Sequence, residues 1–426
     1  MKLLNSLIEV LGKYELCDNC LGRLCAQLLS NLSNKERGKI IRHFIAFLID
    51  SGEEIEIKEE NLAGIKLRSK KKENIRKLKC FICNNFFDEK LDEFVKKILK
   101  KIKGIEFETF LIGSIPKEEM LRNEEKVWEV FGIEFVESIK SEINREIGKK
   151  ISKLLKKKLD RKNPELTVVV DLRTNSIKKQ IKSIFIFGKY QKLVRGIPQA
   201  KWYCPKCKGK GCVYCKGKGK LYPTSVQEII EKPLLKVFKA KKSKFHASGR
   251  EDIDARCLDF RPFVIELVKP LKRKVSLKKL QTEINKSKKV KVKGLKFVDK
   301  HVIRLIKTEK CDKTYSVLVT FKKNVGECEL KKLKVLEKKP ISQKTPLRVL
   351  HRRSDKIRVR RVKRIKWKIV GKRKVLFEIR GESGLYIKEL ITGDEGRTKP
   401  SFYEILKNKP LKIILDVIKI HSQIKI

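Results

Sequence analysis

Residues Phe245 to Phe263 read FHASGREDIDARCLDFRPF and concentrate groups able to attack carbon or move protons. Arg250, Glu251, Asp252 and Asp254 lie within five consecutive positions after Gly249. Ser248 and Gly249 mark a turn before them, and the apolar run Pro262 to Val268 behind them has the composition of a strand. A turn that presents carboxylates beside an arginine at the mouth of a strand suits a general base or a nucleophile. The plainer alternative is a surface pair, Arg250 with Asp254, with Asp252 capping the backbone.

A second chemistry lies in the cysteines. Of twelve, eight fall in C-x-x-C pairs. Cys204, Cys207, Cys212 and Cys215 form a C-x2-C-x4-C-x2-C cluster in a short Gly-Lys loop with no apolar core, and four thiolates around zinc would replace that core. Cys17 and Cys20 need a distant mate, which Cys80 and Cys83 supply if the fold brings them together. A redox pair or independent buried thiols are the alternatives, but no βαβ pattern surrounds either pair. Cys25 is expected on a packed helix face. The chain shows no secretory signal pattern, which points to a reducing compartment and metal rather than disulfides.

These groups sit in a chain of 426 residues with 106 Lys plus Arg against 51 Asp plus Glu, a formal charge of +55. That excess calls for a polyanion, and nucleic acid is the natural one. No apolar run reaches the roughly 18 residues of a membrane span, which leaves a membrane surface as the weaker reading. Length predicts two or three domains. Residues 1–90 read as a helical, zinc-binding accessory region. Residues 91–198 alternate helices with the strands FETFLIGSIP, TVVVDL and IFIFGKY. Residues 199–223 are the Cys-rich knuckle, a linker-like insert whose glycines and lysines suit RNA contact. Residues 224–426 carry many strands, among them RPFVIELV, TYSVLVTF, IKWKIV, VLFEIR and KIILDVIKI, with few helices. In Arg364 to Ile369 basic and apolar residues alternate, as in a strand with one face buried and the other turned to phosphate.

Gly249-Arg250-Glu251-Asp252 closely resembles the catalytic-aspartate motif of pseudouridine synthases, and GREDIDAR looks like the version in the archaeal and eukaryotic family acting on the TΨC arm of tRNA. Four further segments align with that family in order: KTYSVLV around Tyr315, PLRVLHRR (Pro346 to Arg353), GLYIKELITGDEGRTKPS (Gly384 to Ser401) with Tyr386 and Lys388, and ILDV with Leu415. IGSIP and the RGIP stretch (Arg195 to Pro198) resemble the family's THUMP-containing accessory region, which binds structured RNA. One departure stands out. Leu258-Asp259-Phe260-Arg261 lacks the glycine-containing turn expected before R-P-F and is one residue shorter, so the loop beside the aspartate should differ in shape.

The resemblance implies an α+β protein: a pseudouridine-synthase domain with a mostly antiparallel mixed sheet and flanking helices, plus N-terminal zinc-binding and THUMP-like α/β domains. It implies a tRNA pseudouridine synthase acting at tRNA positions 54 and 55, which flips uridine out of its stack. Asp252 would be the catalytic residue, as nucleophile or as the base that removes a sugar proton. Lys388 would be its cationic partner. Tyr315 would stack on uracil and take part in proton transfer from C5, Tyr386 and Arg250 would contact substrate, and Leu415 would wall the pocket. Each also has a packing role to fall back on. Catalysis would need no cofactor, and Zn²⁺ at one or two sites would be structural. The expected partner is tRNA alone, with the chain a cytoplasmic monomer. The alternative is a non-catalytic zinc-dependent tRNA-binding protein or RNA chaperone. A THUMP-linked methyltransferase is disfavoured, because no Gly-rich loop follows a strand.

Overall fold

A computed structural model describes residues 2–68, 78–350 and 353–424. The chain divides into two compact units, residues 1–182 and 183–426.

The first unit opens with helices. Lys2–Lys13 buries Leu7, Val10 and Leu11, the spacing of one helical stripe. Asn34–Asp50 begins in a capping box: the Ser33 hydroxyl accepts from the Glu36 amide, and the Glu36 carboxylate accepts from the Ser33 amide. Between them the short helix Asp18–Gly22 lies backbone to backbone on Asn34–Asp50. A Cβ on Gly22 would stand 1.8 Å from the Asn34 oxygen, and one on Gly38 would stand 1.9 Å from the Asp18 oxygen. Only glycine permits that approach, and it fixes the turn that carries Cys17 and Cys20.

The rest of the unit is the expected α/β alternation. Helix Leu91–Ile102 precedes β1 (Thr109–Ile115), helices Glu118–Phe131 and Ile139–Leu155 follow, and β2 (Lys158–Leu159), β3 (Leu166–Asp171) and β4 (Ser176–Ile181) complete it. The sheet order is β2-β1-β3-β4, parallel except for the β3–β4 hairpin.

In the second unit the strands are β5 (Ile184–Lys192), β6 (Lys242–Ala247), β7 (Arg256–Val268), β8 (Val290–Val298), β9 (Lys313–Phe321), β10 (Ile341–Gln343), β11 (Arg358–Arg360), β12 (Val362–Gly371), β13 (Lys374–Gly381), β14 (Thr398–Lys399) and β15 (Pro410–Ile420). The main sheet runs β12-β13-β9-β15-β7-β5-β8, with β6 also on β7, and a small sheet runs β11-β10-β14. The strand Ile184–Lys192 was expected to close the THUMP-like region. It pairs instead with β7 and β8, so it and the RGIP stretch that follows belong to the second unit.

The main sheet is two half-sheets with separate cores. Phe321, Phe377, Leu390 and Phe402 fill one, and Ile230, Leu234, Phe263 and Val292 fill the other. The halves meet where β15 and β7 run parallel, through only Asp416↔Arg256 and Val417↔Cys257. Every other junction of this sheet is antiparallel. Such a short parallel seam lets the strands diverge at once, opening a cleft at the start of β7.

Two readings change here. The segment Leu258–Arg261 lies inside β7 (Arg256–Val268) as a bulge rather than a free loop: between Tyr190↔Arg261 and Lys192↔Cys257 three residues of β7 face Gln191 alone, and Asp259 accepts from the Ile420 amide at 2.7 Å. In β12, an edge strand, Ile365 is fully buried but Ile369 is 39% exposed, so the alternation closes only part of one face. No helix among the described residues is long and apolar enough to cross a membrane.

Gly38→Ala should therefore destabilise the first unit by about 1–3 kcal/mol, the cost of overpacking. Urea unfolding read in the two-unit chain should show a loss confined to one transition; an unchanged midpoint would refute the close helix contact.

Candidate active site and cysteine sites

The turn before β7 is held by its carbonyls. Arg261 Nη1 donates to Ser248 O at 2.7 Å, and Gln199 Nε2 to Gly249 O at 2.9 Å. Lys192 Nζ donates to Asp252 O and Ile253 O, both at 3.0 Å, and Arg195 Nη1 to Asp254 O at 2.8 Å. Gly249 has φ +75°, and a Cβ there would meet Arg261 Nη1 at 3.1 Å, so glycine is needed twice over. Beneath the turn, Glu251 and Arg261 form an ion pair at 3.0 Å with side chains 0% and 1% exposed. Tyr190 Oη donates to the Glu251 carboxylate at 2.9 Å and accepts from Gln199 Nε2 at 2.7 Å. Burial pushes the Tyr190 phenol up and the Lys192 ammonium down. Glu251 thus turns inward as structure, and its neighbour Asp252 turns outward.

Asp252 faces cations from two other elements. Arg348 Nη1 lies 2.8 Å from Asp252 Oδ1, and Lys388 Nζ lies 3.6 Å from Oδ2. The buried Glu389 carboxylate, 2.6 Å from Arg348 Nε, aims the guanidinium. Lys388 is closest to Asp254, at 2.6 Å. Burial works to raise the Asp254 carboxyl, but Lys388 wins and holds it below its ordinary value. The pairing of Arg250 with Asp254 does not form; Lys388 takes that carboxylate.

A cavity of about 310 Å³ opens over Asp252, within the usual range for small-ligand sites. Tyr315, Tyr386, Leu415, Arg250 and Lys388 all line it, so the residues that the resemblance assigns to the site lie together here. Tyr315 stands opposite Val417 on β15, and Val317 opposite Leu415, so cavity wall and core are continuous. Burial raises the Tyr315 phenol to about 12, helped by Asp252. Tyr386 accepts at Oη from Arg353 Nη1 at 2.7 Å, and its main chain is clamped by Gln343 through bonds of 2.9 and 3.0 Å. Of the basic segment Pro346 to Arg353, His351 and Arg352 lie outside the described residues.

The eight C-x-x-C cysteines gather as expected into two tetrads, Cys17–Cys20–Cys80–Cys83 and Cys204–Cys207–Cys212–Cys215, each with its sulfurs within 4.8 Å of one another. The Sγ atoms of Cys17 and Cys83 lie 3.5 Å apart, and those of Cys204 and Cys212 lie 3.8 Å apart. Tetrahedral Zn–S bonds of about 2.3 Å place sulfurs ~3.8 Å apart, and a disulfide needs about 2.05 Å. In the second tetrad the Gly211 amide donates to Cys207 Sγ at 3.2 Å and the Gly219 amide to Cys215 Sγ at 3.1 Å, which suits thiolate ligands. Both donor sets fit a metal ion. Cys25 is buried outside the tetrads.

A family profile described as "Pus10, C-terminal" matches residues 185–421, more than half the chain, and "Pus10 THUMP domain, archaeal" matches residues 94–171. The chain belongs to the Pus10 family. Among curated relatives, a tRNA pseudouridine synthase Pus10 of Methanopyrus kandleri is 39% identical over 98% of both chains. The protein of that name from Methanocaldococcus jannaschii is 42% identical over 97% of this chain and 94% of its own. Overlap with the crystal structure of a Cbf5-Nop10-Gar1 complex is partial, at TM-score 0.29 and 15% identity over 55% of this chain and 48% of that one. The family assignment makes this an isomerase of the pseudouridine synthase class, with a THUMP domain in its first unit.

Within that Pus10 framework, sequence reasoning passed over Arg348, the shortest cation contact of Asp252, and Glu389, which orients it. Arg348 lay inside the PLRVLHRR segment, but only the tertiary fold spans the 96 positions to Asp252. Also passed over was Asp416, directly after Leu415. Its carboxylate binds Arg256 at 2.7 Å and Arg195 at 2.6 Å, pinning the parallel seam.

Glu251→Gln leaves the buried Arg261 guanidinium without its counter-charge and should cost about 3–5 kcal/mol. Denaturant unfolding of the second unit measures it; a change within about 0.5 kcal/mol, normal for a surface substitution, would show that the buried pair does not support the turn.

Proposed function

We propose that this chain isomerises uridine to pseudouridine in the TΨC arm of tRNA, at positions 54 and 55, with Asp252 as the catalytic residue. The observation that carries the reading is that Asp252, held by Arg348 and near Lys388, lines the same cavity as Tyr315. The reaction breaks the bond from N1 to C1′, turns the base over and joins C5 to C1′. The proton leaves C5 and N1 regains one, so nothing else is consumed. A carboxylate, a cation to keep it ionised and a stacking wall are the groups this requires.

Asp252 acts on the ribose, as nucleophile or as the base that takes a sugar proton. Arg348 and Lys388 hold its charge at the reacting carbon, and Leu415 and Val417 keep water from the detached base. Tyr315 stacks on uracil. With its phenol raised to about 12, it stays protonated across the working range, which favours the role of a neutral wall and hydrogen-bond donor over that of the base that removes the C5 proton. Tyr386 and Arg250 contact the substrate backbone. The THUMP domain and the chain's excess positive charge hold the tRNA body. Each cysteine tetrad holds one Zn²⁺, which ties its loop in place and takes no part in the reaction. The chain works as a cytoplasmic monomer.

Incubating unmodified tRNA transcript with the zinc-replete protein and mapping pseudouridine tests the target: product should appear in the TΨC arm, and product confined to another arm would refute it. Arg348→Met should lower kcat by about 100-fold, the scale of one preorganised electrostatic contact, with KM little changed; a loss in KM alone would make Arg348 a binding residue. Tyr315 should contribute no alkaline limb to the pH–rate profile before about pH 11, since it is neutral below its raised pKa of about 12 and charged only above it. A limb near 10 that disappears in Tyr315→Phe would contradict this. Metal analysis should find two zinc ions per chain, falling to one in the Cys207→Ser, Cys215→Ser double variant; two remaining would exclude the second tetrad as a zinc site.

A further inference from the structure

A second cavity, of about 330 Å³, adjoins the first and also has Asp252 in its lining. Its outer wall is made by Trp202 and Tyr222, which flank the entry and exit of the second cysteine tetrad. The two cavities share Arg250, Glu251, Asp252, Arg348, Val349 and Lys388, so the partition between them is one layer of mostly charged residues.

We propose that this second cavity receives another unpaired base of the same RNA, the immediate neighbour of the uridine held over Asp252. The proposal rests on the reading of Asp252 as the uridine site and adds to it a neighbouring nucleotide subsite built by the cysteine knuckle. Three observations carry it. The partition is thin, which matches two bases joined by a single phosphate, and Arg250 within it supplies a positive charge for that phosphate, while Arg348 and Lys388 stay on their carboxylates. Trp202 and Tyr222 meet edge to face, with centroids 5.5 Å apart at 85°, and both line the cavity, the placing that base-stacking side chains need. The same knuckle also exposes Tyr203 and Tyr214, each with a lysine over the ring, Lys201 at 5.9 Å and Lys206 at 4.7 Å. Aromatic rings interleaved with cations form the usual surface for a single nucleic-acid strand.

The tetrad explains how the rings come together. Trp202 and Tyr222 lie far apart along the chain, but the Leu221 amide donates to Trp202 O at 3.0 Å and Tyr203 bridges Lys220. Closing the four cysteines therefore closes the ring wall. The knuckle is then part of substrate selection.

The test follows isomerisation at position 55 in tRNA transcripts carrying a single abasic residue immediately 5′ or 3′ of it, with the zinc-replete wild type, Trp202→Ala and Trp202→Phe. Zinc content is measured for each variant, so that a collapsed knuckle is recognised. In the wild type, one of the two abasic RNAs should raise KM by about tenfold, the scale of one base–aromatic stack, with kcat nearly unchanged. Trp202→Ala with full zinc should show the same loss on intact RNA and none further on the abasic one, and Trp202→Phe should restore most of it. An unchanged KM in zinc-replete Trp202→Ala, or losses that multiply for both abasic RNAs, would overturn the proposal. If the wild type bound the transcript but made no product, the reading of Asp252 would fall. The base subsite would then be judged by equilibrium binding, where the preference for intact RNA must appear in the wild type and vanish in Trp202→Ala.

Discussion

The active turn depends on one buried ion pair. Glu251 and Arg261 lie beneath Asp252 with side chains essentially closed to solvent; the Glu251 carboxylate accepts from Tyr190, and Arg261 donates to the Ser248 carbonyl. A buried pair contributes little net stability, because desolvation offsets the attraction. Its effect is positional. Arg261 belongs to β7 and Tyr190 to β5, so the pair locks the turn to two paired strands of the sheet. With its carbonyls bound by Lys192, Arg195 and Gln199 as well, the turn has little freedom left, and the Asp252 side chain is presented in one direction.

The reacting carboxylate is handled differently. It lies where the two half-sheets part, with side chains of Arg348 and Lys388 arriving from separate segments. Each cation has a second carboxylate of its own, Glu389 for Arg348 and Asp254 for Lys388. Charge is therefore nearly balanced in place before substrate arrives, so the cluster needs little rearrangement when charge shifts during the reaction. The cysteine knuckle adds an outer wall on the same cluster, which links a metal-dependent loop to the shape of the site.

Much of this was legible in the residue pattern. The turn at Ser248-Gly249 and the cysteine tetrads could be read from local chemistry, from turn residues and from thiols in metal-ligand spacing, whereas Asp252 and both tyrosines stood out only through the resemblance of their motifs to a known family. What could not be read is long-range partnership. IFIFGKY fits any buried strand, and nothing local says which sheet it joins, so Ile184–Lys192 was assigned to the wrong unit. Lys388 was expected to hold Asp252, and it does stand nearby, but Asp254 lies closer to it. Its helical neighbour Glu389 points about 100° away, the angle between adjacent residues on a helix, and reaches Arg348. The seam residue Asp416 was hidden because a carboxylate inside an apolar strand shows its purpose only when Arg195 and Arg256 are seen around it.

Single-turnover kinetics of Asp252→Asn on unmodified tRNA transcript test the central claim most directly. The substitution keeps the size of the side chain and its hydrogen bond from Arg348, and it removes only the charge and the basic, nucleophilic oxygen. If Asp252 is the reacting group, tRNA binding should stay within about twofold while pseudouridine formation vanishes, a loss beyond the 10²–10⁴-fold of an auxiliary proton-transfer group. Product at even a few per cent of the wild-type rate would contradict the account and move the chemistry to another residue of the cavity.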